Sequence, residues 1–343
     1  QQNFTSLARQ KREVHFTVGH GERSDTSFKD TPEGTGTTEL ASALRRANVT
    51  MKNLGISQGL ANEVPEGAPA VLVVGPRTPF LPEENGALER YIRAGGRVVI
   101  MVDPQDDHGL SPLLESFHLS LLKGTLASET NHTRRTFTPA DRGLVFTKRY
   151  SSHPTVTLAS RHQNELATVF VHGGAVSKTE LEGDGGGAIQ FPIRSGHGFW
   201  LDLDGNFERG PEEPLTNANM MAVVTVPVPG NAADGSKKEG RLVVIADGDF
   251  VTDQVIRNPG NSFVLNDILK WMLGEEEIVS VAASEEDIPI EHTREEDKVW
   301  FYATTVGVPL IPLAFGIAVA LRRRRKPKKR KTTKPSNPEE VKS

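Results

Sequence analysis

The sequence contains no cysteine. That absence excludes disulfides, thiol nucleophiles and zinc sites built on thiolates. It also removes the nucleophile an amidotransferase would need. A domain outside the cytoplasm that does without disulfides is compatible with this composition. No G-x-S-x-G serine elbow is read from the sequence. No phosphate loop is read either: the glycines at Gly185–Gly187 follow acidic residues and carry no Lys-Ser/Thr. Methionine is also missing at the start, where the first residue is Gln1. The chain is therefore expected to be a processed or truncated product, with any targeting segment upstream out of view.

What is present is length, loops and an uneven charge. The chain has 343 residues, enough for two domains, with 32 Gly and 22 Pro to supply turns. The net charge of −4 conceals a split. From Arg322 to Ser343 there are 11 Lys/Arg against 2 Asp/Glu, and the preceding residues are acidic overall. Opposite charge in two segments implies two environments.

The boundary between them is "VWFYATTVGVPLIPLAFGIAVAL", Val299–Leu321, 23 residues without a charge. As a helix it would span roughly 35 Å, more than a hydrocarbon core of about 30 Å. Trp300 and Tyr302 stand where an interfacial aromatic belt would lie, and Arg322, Arg323, Arg324 and Arg325 open a run of nine cations in ten residues. The positive-inside rule then places the basic end in the cytoplasm and the preceding residues outside it. Pro309 and Pro312 are tolerable in such a helix. The pairs Gly316/Ala320 and Ala314/Ala318 would let a second helix approach closely. The other reading is a buried core helix followed by a basic nuclear-localisation or nucleic-acid patch. The membrane reading is preferred because core helices rarely run so long without charge, so no nucleic-acid partner is expected.

Before the span, strand and helix alternate. "VHFTVGHGE" is a strand running into a glycine turn, "TTELASALRRANV" a helix with Thr37 as a candidate N-cap, and "VTMKNL" a strand. "AVLVVGP" is an unbroken apolar run of the kind buried on both faces of a parallel sheet. "LPEENGALERYIRAGG" starts a helix at Pro82 and stops it at Gly95 and Gly96, and "RVVIMVD" is the next strand. The pattern predicts an α/β fold with a mostly parallel, doubly wound sheet. Between about 120 and 240 short β-like pieces replace it, predicting a β-rich insertion or subdomain. "RLVVIADGDF" and "NSFVLNDILKWML" return to the α/β pattern. The expected organisation is 1–119 as the first part of an extracytoplasmic α/β domain and 120–240 as the insertion. Residues 241–283 would supply the closing strand and helix, 284–298 an acidic linker, 299–321 the single transmembrane helix and 322–343 a basic cytoplasmic tail.

Candidate chemistry gathers at strand ends, where open α/β sheets bind ligands. Asp103 ends one strand and is followed by Asp106, Asp107 and His108, a set that could hold a divalent metal or simply shape a turn. His20 and Glu22 follow the first strand, and His20 could serve as a general base or as turn structure. Asp247 and Asp249, with Asp253 beyond, could hold metal or cap the next segment, but that stretch lacks EF-hand spacing. His197 is read as a turn histidine. No catalytic residue, metal ligand or cofactor is assigned. His20, Glu22, Asp103, Asp247 and Asp249 are taken together as an interaction or ligand surface.

Several of these segments resemble one family. "VHFTVGHGE", "VLVVGPRTPFLPEENGALERYIRAGGRVVIMVDP", "VVIADGDFVTDQVIRNPGNSFVLNDILKWMLGEEE" and "VGVPLIPLAFGIAVALRRRR" are similar to signatures of the ABC-type transport auxiliary proteins of the gliding-motility type. The resemblance implies a sheet related to class I glutamine-amidotransferase-like domains without their cysteine. It further implies a non-enzymatic subunit of a bacterial ABC transporter, with permease and ATPase subunits and membrane lipids as partners, at the inner membrane with its bulk periplasmic. Family members usually also carry an N-terminal membrane helix. Two alternatives stand beside it: a membrane-tethered hydrolase or metal-dependent enzyme near His20, Asp103 and Asp247, and a small-ligand receptor domain.

Overall fold

The structure, a computed structural model, describes residues 12–24, 36–46, 48–179, 187–231 and 237–274, together with 302, 305 and 308–324. The chain separates into two units, Gln1–Ala282 and Ala283–Ser343.

The first unit begins with β1 (Arg12–Thr17), α1 (Thr38–Arg46), β2 (Val49–Leu54), β3 (Val71–Val74), α2 (Pro82–Arg93), β4 (Arg97–Met101) and α3 (Ser111–Ser116). A β-rich stretch follows: β5 (Leu119–Leu121), β6 (Thr125–Ser128), β7 (Leu144–Thr147), β8 (Arg149–Tyr150), α4 (Thr157–Arg161), β9 (Thr168–Val171), β10 (Val176–Lys178), β11 (Ala188–Arg194), β12 (Phe199–Asp202) and β13 (Asn219–Asn231). The unit closes with β14 (Lys237–Ile245) and α5 (Pro259–Leu273).

The main sheet runs β2-β1-β3-β4-β14-β13-β10-β5. Its first five strands are parallel: β2 with β1, β1 with β3, β3 with β4, and β4 with β14. From β13 onward the pairings are antiparallel. The fold is thus mixed α/β with a mostly parallel central sheet and additional strands. β5, β10 and β13 extend this sheet, β11 and β8 join it beside β13, and β12–β6 and β7–β9 form two small sheets of their own.

Side chains alternate across a strand, so each buried strand feeds two cores. All four residues of β3 are buried. Val71 and Val73 pack with Leu88 and Ile92 of α2 and with Leu113 and Leu114 of α3. Leu72 and Val74 pack on the other face with Leu40 and Leu44 of α1 and with Ile268 and Trp271 of α5. Each such side chain contributes about 1.5–3 kcal/mol by leaving water.

The helices stop and start where their backbone groups find partners. Pro82 opens α2, with Glu83 and Glu84 in its first turn, where the N–H groups are unpaired and acids are favoured. α5 ends at Gly274 with φ 73°. Its last carbonyls accept from two arginines of the sheet: Arg97 Nη1 donates to Met272 O at 2.6 Å, and Arg241 Nη1 donates to Trp271 O. At the start of α1, Asp253 takes the N–H of Glu39 at 2.8 Å and the hydroxyl of Thr38 at 2.6 Å. One of the aspartates singled out in the sequence is therefore occupied as a distant helix cap.

In the second unit the helix is α6 (Val308–Arg324), 17 residues with Pro312 inside it. Among the described residues no helix is long and apolar enough to cross a membrane. The 23-residue span anticipated from Val299 begins on residues outside those described, as do Trp300 and Arg325. Tyr302 is exposed, and so are Leu310, Phe315 and Ile317.

Candidate functional site: the carboxyl ends of the parallel strands

His20 and Glu22 follow β1, Asp103 follows β4, and Asp247 and Asp249 follow β14. These strands lie within one run of parallel neighbours, so all five residues stand at the same end of the sheet. They are linked by two residues the sequence reading did not single out, Glu84 and Arg23.

The first set is centred on His20. Its ring lies flat on Phe80, with centroids 3.9 Å apart at an interplanar angle of 15°. Nδ1 meets Glu22 Oε1 at 3.1 Å, and Nε2 meets Glu84 Oε2 at 3.0 Å. Ionised carboxylates only accept, so a ring that donates from both nitrogens, the imidazolium, fits this environment best. Burial opposes that charge, but the bonds and charges of Glu22 and Glu84 outweigh it, and the His20 pKa stands above its ordinary value. Each carboxylate is itself anchored. Glu22 Oε2 accepts from the His20 N–H at 2.7 Å. Glu84 Oε2 accepts from the Leu81 N–H at 2.9 Å, as a third-position glutamate does at a helix start.

The second set is centred on Arg23, whose backbone N–H donates to the carbonyl of Val74 at the end of β3. Its guanidinium bridges two strand ends: Nε donates to Asp249 Oδ1 at 2.5 Å and Nη2 to Asp103 Oδ2 at 3.0 Å. The other Asp103 oxygen accepts from Gly248 N at 2.8 Å. Burial, with the charges of Asp249 and Asp106 behind it, pushes the Asp103 carboxyl up to about 6 despite the Gly248 N–H and Arg23. Asp247 is fully buried and accepts from Val171 N at 2.7 Å and from Asp249 N at 2.8 Å. Burial, and then the neighbouring Asp103 and Asp249, raise its pKa well above the ordinary value.

Two glycines let these ends meet. A Cβ on Gly75 would come within 2.7 Å of Arg23 Cγ and 2.9 Å of the Gly248 carbonyl, at a φ of +56°. A Cβ on Gly248 would come within 2.7 Å of Asp103 Oδ2 and 3.0 Å of Gly75 Cα. The Gly-Pro after β3 and the Asp-Gly-Asp after β14 thus bring the backbones together around the Arg23 clamp.

The other candidates serve the turns. His108 Nδ1 accepts from Leu110 N at 3.0 Å just before α3, and burial lowers its pKa. The Asp103–His108 turn does not gather three metal-ligating atoms among the described residues. His197 is exposed between β11 and β12, and no described bond joins it to the strand-end sets. The sequence reading of no serine elbow needs one correction. Gly55–Gly59 has Gly-x-Ser-x-Gly spacing. Ser57 is exposed on the 3₁₀ turn Ile56–Gln58, without the left-handed φ that marks a strained nucleophile turn and without a bonded histidine.

Chemically the strand-end groups are committed to one another. Both nitrogens of His20, both oxygens of Asp103 and both oxygens of Asp247 already hold partners. What stays uncommitted is Arg23 Nη1, Ser24 Oγ and Glu84 Oε1, which are buried and have no partner among the described residues. Such groups can orient a ligand, and the Ser24 hydroxyl has no base bonded to it among the described residues.

Neither a family model nor a curated protein sequence matches the chain. Among solved structures it is similar to the mmIFT52 N-terminal domain, at a TM-score of 0.53 and 16% identity, covering 81% of this chain and 100% of that one. It is also matched to a ThuA-like protein from Bacteroides uniformis (TM-score 0.37, 10% identity, 76% of this chain and 90% of that one). A third match is the exo-beta-1,4-mannosidase Op5Man5 from Opitutaceae bacterium strain TAV5 (TM-score 0.34, 11% identity, 79% and 36%). These last two superpose too loosely to carry an argument. The first likeness is one of fold: the mixed α/β sheet described above is an arrangement this chain shares with the mmIFT52 N-terminal domain.

Proposed function

We propose that the chain is a non-enzymatic auxiliary subunit of a bacterial ABC transporter. The unit Gln1–Ala282 lies in the periplasm and engages cargo or partner proteins through the carboxyl ends of its parallel strands. Residues 299–321 hold the chain in the inner membrane as a single helix, and the basic tail meets the cytoplasmic lipid surface.

One observation carries the non-enzymatic reading. At the position where such sheets carry chemistry, His20 is held by Glu22 and Glu84, Asp103 by Arg23 and the Gly248 N–H, and Asp247 by the N–H groups of Val171 and Asp249. A general base must reach a substrate proton, and these groups face inward to protein partners. The clamp holds a face rigid, which suits recognition. The sequence signatures supply the transporter assignment, and the 23 uncharged residues followed by nine cations in ten supply the membrane assignment.

The receptor reading has its own support in Arg23 Nη1, Ser24 Oγ and Glu84 Oε1, buried and without partners among the described residues: a donor, a hydroxyl that can donate or accept, and an acceptor that could orient a small polar ligand. One experiment separates the two. The full chain is affinity-purified from its native membrane in mild detergent and the co-purifying proteins are identified by mass spectrometry. The auxiliary-subunit reading expects an ABC permease and an ATPase in stoichiometric amounts. Recovery of the chain alone would rule it out in favour of the receptor.

A further inference from the structure

The loop after β12 reads "DLDGNFERGPEE", Asp202–Glu213. Oxygen-bearing side chains stand at positions 1, 3, 5 and 12, Asp202, Asp204, Asn206 and Glu213, and also at positions 7 and 11, Glu208 and Glu212. This is the spacing of a calcium loop of the D-x-D-x-N…E type, in which position 7 adds a main-chain carbonyl, here that of Glu208. The pattern departs at position 6, where a glycine is usual and Phe207 stands. Phe207 nevertheless adopts the left-handed backbone that the glycine would supply, with φ 57°. Its conformation is held from outside the loop. Its ring lies 5.3 Å from that of His172, and Arg142 Nη1 donates to its carbonyl at 3.1 Å.

The geometry matches the spacing. One ligand atom from each of Asp202, Asp204 and Glu213 lies within 4.8 Å of the other two. Two oxygens that share a calcium ion, each about 2.4 Å from it, are at most about 4.8 Å apart. A second observation points inward. Asp202 is 2% exposed. Its Oδ1 accepts from Phe207 N at 3.0 Å. Its Oδ2 is buried and has no partner. Glu213, also buried, is oriented by Leu203 N and Gly210 N, both at 2.8 Å. No lysine or arginine forms an ion pair with the three carboxylates among the described residues.

We infer that the Asp202–Glu213 loop is a calcium site. Its ligands would be the side-chain oxygens of Asp202, Asp204, Asn206 and Glu213 and the Glu208 carbonyl. An all-oxygen set without histidine suits a hard cation, and a twelve-residue loop closed by a glutamate favours the larger, more loosely coordinated Ca²⁺ over Mg²⁺. The inference stands apart from the strand-end site and does not depend on the transporter reading.

The test is calorimetric titration of the full chain in mild detergent, stripped with a chelator, with Ca²⁺ and separately with Mg²⁺. One Ca²⁺ site is expected, with a Kd between about 10 μM and 1 mM, the range of sensor to extracellular modules. Asp204 is exposed, so Asp204→Ala should fold and bind at least tenfold more weakly. Asp204→Asn keeps an oxygen for the Asn206 N–H, bonded at 3.1 Å, and gives up only the exposed bond from Asn206 Nδ2, so it should melt within about 2 °C of the parent without metal while binding less tightly. No binding heat up to about 5 mM Ca²⁺ would overturn the inference, and so would undiminished affinity in both variants. An equal response to Mg²⁺ would overturn the choice of ion.

Discussion

Replacing Arg23 with leucine should lower the stability of the folded chain by about 3–5 kcal/mol at pH 8 and by less at pH 5. The guanidinium is 7% exposed and neutralises Asp249 and Asp103. Leucine fills part of the volume but leaves two half-buried carboxyl groups facing each other without a cation. The loss depends on pH because Asp103, raised by burial to about 6, is protonated at pH 5 and needs no counter-charge there. The parent should already show this tendency. A carboxyl whose folded pKa is raised contributes stability below its unfolded value and loses it as pH rises through the folded one. For a group at about 6 against an ordinary 3.8 the loss is on the order of 3 kcal/mol by neutral pH. Asp267, raised by burial to about 6, and Asp247 have the same sign. His20 does too: its raised pKa adds stability that is complete below about 6.5 and fades as pH rises through the folded value. Chemical denaturation at pH 5, 6.5 and 8 measures both effects. A flat profile in the parent, or a pH-independent loss in Arg23→Leu, would contradict the clamp.

Asp247→Ala should cost about 2–4 kcal/mol, with the opposite pH dependence. The substitution strands the N–H groups of two half-buried residues, Val171 and Asp249, each worth up to about 1–3 kcal/mol when left unpaired away from water. At pH 8 it also removes a carboxyl that resists ionisation beside Asp103 and Asp249, which offsets part of the loss. Because its folded pKa is raised, the parent loses this stability as pH climbs above the ordinary carboxyl value and the variant does not, so the penalty is larger at pH 5 than at pH 8. Denaturation of the two variants side by side should give Arg23→Leu the larger penalty at pH 8 and Asp247→Ala its own larger penalty at pH 5. Parallel profiles would mean that the two residues do not belong to one electrostatic cluster as described.

The legible parts of this chain were those whose cause is local. The "VLVV" run of β3 is buried on every residue because helices cover both faces, and an unbroken apolar run is what such burial requires. Gly95, with φ +99°, falls just past α2, where the sequence stops that helix. The strand-end acids and His20 were legible because parallel strands end on the same side. Arg23 and Glu84 were not. Arg23 sits one residue beyond Glu22 in plain view, but only the pairing of β1, β3, β4 and β14 gives it Asp103 and Asp249 as partners. Glu84 reads as an ordinary first-turn acid of α2, and its contact with His20 bridges 64 residues. The cap that Asp253 gives α1 is hidden for the same reason. The calcium loop carried a local signal, and Phe207 in place of the expected glycine masked it. The unusual φ there is fixed by His172 and Arg142, which lie elsewhere in the sequence.

The strand-end face is proposed to bind partners rather than to perform chemistry. Its rim includes Arg77 and Thr78, exposed beyond β3, whose backbone N–H groups donate to the His20 carbonyl at 2.7 and 3.0 Å. Substituting both side chains, Arg77→Glu with Thr78→Glu, leaves those backbone bonds and the buried clamp intact, so the melting midpoint should stay within about 2 °C of the parent. The decisive measurement is quantitative mass spectrometry of the proteins recovered with this double variant and with the parent from native membranes. The account predicts at least a tenfold loss of permease and ATPase with the variant while the chain itself is recovered equally. Undiminished recovery would place the interaction surface elsewhere and contradict it.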